Sequence, residues 1–138
     1  MQSLLETERP VPNASIFPKW RELRHVPRFE CDEYTAFIKT YGCLICHKNP
    51  TPHHYYEKGR AGNHASDLLQ IPLCLKHHDE LHKRFGSNAT FERHYALHFQ
   101  STIVRLLKKW FHAKGWEWQD FESLIALETF VHEQLHRV

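Results

Sequence analysis

Apolar residues along this chain fall into helical and extended patterns in alternation. Residues 32–41 read as a helix, with Tyr34, Phe37, Ile38 and Tyr41 on one face, Asp32 as its cap and Gly42 as a left-handed terminator. Residues 51–56 read as a short strand, favoured by Tyr55 and Tyr56. Residues 58–66 carry Gly59, Gly62 and Asn63 and read as a loop. Residues 67–73, an apolar run around Pro72, read as a second strand or an extended piece, and residues 74–85 as a helix. A short helix follows over 90–95 with Asn88 as a cap. Two longer helices complete the pattern. One, over 99–114, lines up Ile103, Leu106, Leu107, Trp110 and Phe111 before Gly115; the other, over 119–136, lines up Phe121, Leu124, Ile125, Leu127, Val131 and Leu135. Their apolar faces fit packing on the core, with a dimer interface as the alternative use.

The first thirty residues break the pattern. Pro10, Pro12, Pro18 and Pro27 oppose a long helix, so this stretch reads as an extended arm. Within it Arg21, Arg24, His25 and Arg28 alternate with Trp20 and Phe29, which suits either a grip on nucleic acid or a solvated arm docked through Trp20. The resulting organisation is an arm over 1–30, a chemistry-bearing core over 31–96 and a helical extension over 97–138. The expected fold class is α+β.

At 138 residues, 25% charged and 41% hydrophobic, the chain has the composition of one ordinary globular domain. A net charge of +2 is too small to argue for a polyanionic partner by itself. No apolar run reaches the roughly 18 residues of a membrane span. Residues 1–12 lack the basic and apolar regions of a signal peptide, so a cytoplasmic setting with reduced thiols is expected.

The unusual count is 13 histidines, seven of them crowded with three cysteines between Cys43 and His82. Cys43-x2-Cys46 and Cys74-x2-His77 are two paired knuckles about thirty residues apart, the spacing of a closed tetrahedral zinc site. Cys31 stands apart and reads as a buried thiol. With His77 assigned to zinc, His78 and His82 remain four apart on one helix face, where two imidazoles can chelate a second ion. His53 and His54 lie on the strand side, where neighbouring side chains point opposite ways unless the strand is bent.

Cys43-Leu44-Ile45-Cys46, His53-His54, the run from Ser66 to Cys74 and Leu75-Lys76-His77-His78-Asp79-Glu80-Leu81-His82 together resemble the HNH endonucleases, also called His-Me finger or ββα-metal nucleases. The resemblance covers about residues 33–96. It is closest to the zinc-knuckle branch of small phage and prophage nucleases, which includes a RecA-dependent phage nuclease. It implies a DNA phosphodiester hydrolase, with His54 as the general base and His53, His78 and His82 holding the catalytic ion. Asp67, with Asn63 as second choice, would stand where the family has the asparagine that orients the base. The implied cofactors are a structural Zn2+ and a catalytic Mg2+, Mn2+, Ni2+, Co2+ or Zn2+; imidazole ligation favours the transition metals over Mg2+. Lys48, Lys58, Arg60 and Lys76 are placed in sequence to contact phosphate, although each taken singly better suits a solvated surface. The implied partners are DNA and a recombinase filament or other phage DNA-processing protein, with no membrane, and with a monomer and a homodimer both open. The reading from a different class is a non-catalytic zinc-knuckle module that binds nucleic acid or protein; it has no use for the His53-His54 and His78-x3-His82 pairs.

Overall fold

The computed structural model describes residues 29–55 and 66–137. The arm over 1–28, Lys58, Arg60, Asn63 and the expected loop around them lie outside the described residues. Elsewhere the chain is mixed α+β. Its elements run α1 (Asp32–Ile38), β1 (Thr51–His54), β2 (Gln70–Leu73), α2 (Leu75–Glu80), a π-helical turn (Leu81–Phe85), α3 (Asn88–Tyr95), α4 (Phe99–Lys114) and α5 (Leu124–Leu135).

The sheet is a single antiparallel pair, with Thr51 opposite Leu73, His53 opposite Ile71 and His54 opposite Gln70. All four residues of β2 are buried, because α1, α2 and α4 pack on it. On β1 only His53 is buried. Pro52 and Pro72 face one another, and the Pro72 carbonyl accepts the Leu44 N–H at 3.0 Å.

Helix α4 occupies the centre. Phe99, Ile103, Val104, Leu106, Leu107 and Phe111 have no exposed surface, and Ser101 and Thr102 are buried with them. Each such apolar side chain contributes about 1.5–3 kcal/mol by leaving water. Trp110 packs on Tyr34 of α1, and Phe111 packs on Trp116, Trp118 and Phe130, which ties α5 to the same core. Ile125 stands outside this packing and is 46% exposed.

Several local expectations change. Cys31, not Asp32, occupies the N-cap of α1. Gly42 has no left-handed backbone; a Cβ there would come within 2.4 Å of the His47 carbonyl oxygen, so the residue is required by space. Ser87 displaces Asn88 as the cap of α3, its Oγ accepting the Thr90 N–H at 3.2 Å. α5 begins only at Leu124, where the Ser123 hydroxyl accepts the Ala126 N–H. The helix expected over 74–85 changes pitch after Glu80, and the π-helical turn closes at Gly86 with φ +71°.

Candidate metal centres

Among the described residues two ligand clusters form, and the adjacent histidines of α2 divide between them. Cys43, Cys46, Cys74 and His77 form one group; His53, His78 and His82 form the other. Within each group the donor atoms lie within 4.8 Å of one another.

The first cluster is built from two turns. The Cys43 carbonyl accepts the His47 N–H at 2.9 Å and the Lys48 carbonyl accepts the Cys43 N–H at 2.9 Å, which folds the knuckle tightly. The Ile45 N–H points at the Cys43 sulfur, 3.4 Å away. Cys74 caps α2 and His77 follows on the first helical turn. The Cys46 and Cys74 sulfurs are 3.5 Å apart, and His77 Nδ1 lies 3.5 Å from Cys43 Sγ and 3.1 Å from Cys74 Sγ. A tetrahedral zinc with bonds of about 2.3 Å to sulfur and 2.0–2.1 Å to nitrogen separates its ligands by roughly 3.5–3.8 Å. The cluster is slightly tighter than that and has the right donors, so it can hold a metal such as zinc. Burial pushes the Cys43 thiol up, a cost that a bound cation removes by stabilising the thiolate. Cys31 is buried outside this cluster.

In the second cluster His53 rises from β1 to meet His78 on α2 and His82 on the π-helical turn. Ring centroids are 5.2 Å apart for His53–His78, 5.5 Å for His53–His82 and 4.6 Å for His78–His82. Burial grades outward from His53 through half-buried His78 to exposed His82, so the cluster opens to solvent on one side. His53 Nε2 lies 3.1 Å from Asn88 Oδ1, while its Nδ1 is buried without a hydrogen-bond partner. Burial pushes His53 down to about 4, and burial followed by the neighbouring His82 lowers His78. Neutral imidazoles around an unsatisfied buried nitrogen are a suitable donor set for a divalent transition metal.

His54, the next residue on β1, reaches Asp67 and lies near enough to the cluster to act electrostatically on His53 and His78. Its Nε2 is 2.8 Å from Asp67 Oδ1. The other carboxylate oxygen accepts the Cys31 backbone N–H at 2.8 Å, and Phe29 O accepts the Asp67 N–H. Asp67 is buried and His54 half-buried. An Asp-held Nε2–H leaves the basic lone pair of neutral His54 on Nδ1.

Lys48 and Lys76 are exposed beside the thiolate cluster, where each influences His77. Sequence reasoning missed Asn88 as a partner of His53, Cys31 as an anchor of Asp67, and the hydrogen bond from the Tyr95 hydroxyl to Glu80 that joins α3 to α2. Each contact spans 15 to 36 residues, which local spacing does not register.

The chain belongs to a family of proteins of unknown function, DUF968, whose model matches residues 17–112. It is similar to the uncharacterized protein YdfU of Escherichia coli (strain K12), 41% identical over 58 residues that make up 40% of this chain. The chain spans only 17% of that relative's length. No solved structure matches it. No helix among the described residues is long and apolar enough to cross a membrane.

Proposed function

We propose that this chain is a metal-dependent endonuclease of the HNH type that hydrolyses DNA phosphodiester bonds, with the cysteine-rich cluster as structural support. The observation that carries the reading is the pairing of an open three-imidazole cluster with an Asp-oriented histidine on the adjacent strand position. A purely structural zinc module needs neither feature.

In this reading His54 takes the proton from the attacking water at Nδ1. Asp67 holds the ring through Nε2 and stabilises the imidazolium that forms. His53, His78 and His82 would hold the divalent ion; when bound, that ion supplies Lewis-acid stabilisation for the charge developing on the phosphate and on the leaving oxygen. The exposed side at His82 leaves room for a phosphate and a water. The sequence resemblance to phage nucleases supports a role in recombination or DNA processing, with a recombinase filament as a candidate partner.

The test is nicking of supercoiled plasmid in the presence of Mg2+, Mn2+, Co2+ or Ni2+, with and without a recombinase filament. Wild-type protein is expected to nick, and His54→Ala to lose about 10²–10⁴-fold in rate. Nucleic-acid binding without cleavage under every condition would favour the non-catalytic module.

A further inference from the structure

We propose that Asn88 is the positioning residue for His53: by accepting the Nε2–H it turns the Nδ1 lone pair toward His78 and His82. The proposal rests on the reading of these three histidines as a metal site.

A neutral imidazole carries one proton, and the two ring nitrogens of His53 have different surroundings. Nε2 faces the Asn88 amide oxygen at 3.1 Å; Nδ1 is buried with no partner. A proton on Nδ1 would be buried without an acceptor, and the Nε2 lone pair would face the carbonyl oxygen of Asn88. A buried unsatisfied group of this kind carries its full desolvation penalty. A proton on Nε2 removes both conflicts and leaves Nδ1 unprotonated, its lone pair available to a metal ion.

Turning the Asn88 amide over would present its NH2 to Nε2. That would force the proton onto Nδ1 and block ligation. The observed orientation is therefore the one a metal-binding His53 requires. Metal-ligating histidines ordinarily donate their second N–H to an oxygen acceptor, which fixes the tautomer and the ring plane.

The local fold fixes Asn88 in this role. Ser87 takes over the capping of α3, accepting the Thr90 N–H and donating to the Thr90 hydroxyl, so the Asn88 side chain is left to reach across to β1. One turn on, Phe91 is fully buried and packs on Phe99, whose ring also lies 6.1 Å from that of His53. One aromatic cluster thus anchors both the amide and the imidazole it orients.

The experiment uses full-length chain with zinc already loaded on the cysteine cluster. Long-range 1H–15N correlation spectra report the His53 tautomer before any second ion is added. Co2+ titration followed by d–d absorption then reports affinity at the histidine cluster, with His78→Ala as the control that identifies the signal. The expected result is an Nε2-protonated His53 in wild type, lost in Asn88→Ala together with about 10–100-fold in Co2+ affinity. Asn88→Asp, which can only accept, should keep the tautomer and bind Co2+ at least as tightly as wild type. Wild-type binding that Asn88→Ala matches, or an Asn88→Asp variant as weak as Asn88→Ala, overturns the proposal alone. A wild type that takes no Co2+ beyond the cysteine cluster overturns the metal-site reading and the proposal with it.

Discussion

His54 Nε2 and Asp67 Oδ1 stand 2.8 Å apart across the hairpin, with the second carboxylate oxygen of Asp67 held by the Cys31 backbone N–H. The carboxylate is thus fixed on one side by main chain and on the other by the imidazole it orients. Removing it should disorder the proposed base, His54, without removing it. Asp67→Ala is expected to slow plasmid nicking by about 10–100-fold, less than the loss in His54→Ala. Single-turnover rates under saturating Mn2+ measure both, and an Asp67→Ala rate equal to wild type would contradict the orienting role.

The cysteine cluster should hold the fold together. Cys74 ends β2's exit and starts α2, so one ion there joins the knuckle, the sheet and the helix. Zinc removal by a strong chelator, or Cys74→Ser, is expected to lower stability by several kcal/mol, read as a fall in Tm of about 10–20 °C. Calorimetry with and without added Zn2+ measures it; an unchanged Tm would remove the structural role.

Gly42 gives a sharper probe of the same knuckle. Its backbone is unstrained, yet a Cβ would meet the His47 carbonyl at 2.4 Å, a backbone atom that has no room to give. Gly42→Ala is therefore expected to weaken zinc retention against a chromophoric chelator, while a substitution at solvent-exposed Gly86 leaves zinc affinity intact and costs about 1 kcal/mol of stability through its positive φ.

The ligand spacing was legible in the sequence because it is a local property. A tight turn sets Cys43 and Cys46 three residues apart, and a first helical turn sets Cys74 and His77 at the same spacing. The division of His77 from His78 follows from the same geometry, since neighbours on a helix face different sides. The strand period likewise separates His53 from His54. What the sequence did not register depends on tertiary placement. Asn88 meets His53 only because α3 packs through Phe91 against Phe99. The change of pitch after Glu80 has no signature in the apolar pattern, which reads equally well as one continuous helix. At Gly42 the lack of a side chain matters, and the backbone freedom that its position after α1 suggests is unused.

A pH effect on stability should come from Glu128 on α5, which belongs to neither cluster. Burial raises its pKa from 4.5 to about 7, partly offset by the Ser66 hydroxyl. Below pH 4.5 the carboxyl is protonated in both folded and unfolded chains, and its contribution is fully present. As pH rises toward and through 7 the unfolded chain has already released the proton that the folded one retains, so stability is lost across that window. Glu128→Gln is expected to raise Tm at pH 8 and to leave it nearly unchanged at pH 4. Thermal unfolding at the two values measures the difference, and an equal effect at both would refute the assignment.

The most direct test of the two-centre division is His78→Ala. This substitution removes one imidazole from the open cluster and leaves its neighbour His77 with the three cysteines. The variant should retain one zinc per chain by native mass spectrometry, unfold with wild-type cooperativity, and lose plasmid nicking in Mn2+ by at least about 10²-fold. Nicking at the wild-type rate by His78→Ala, or none by the wild type with any divalent metal, would contradict the account.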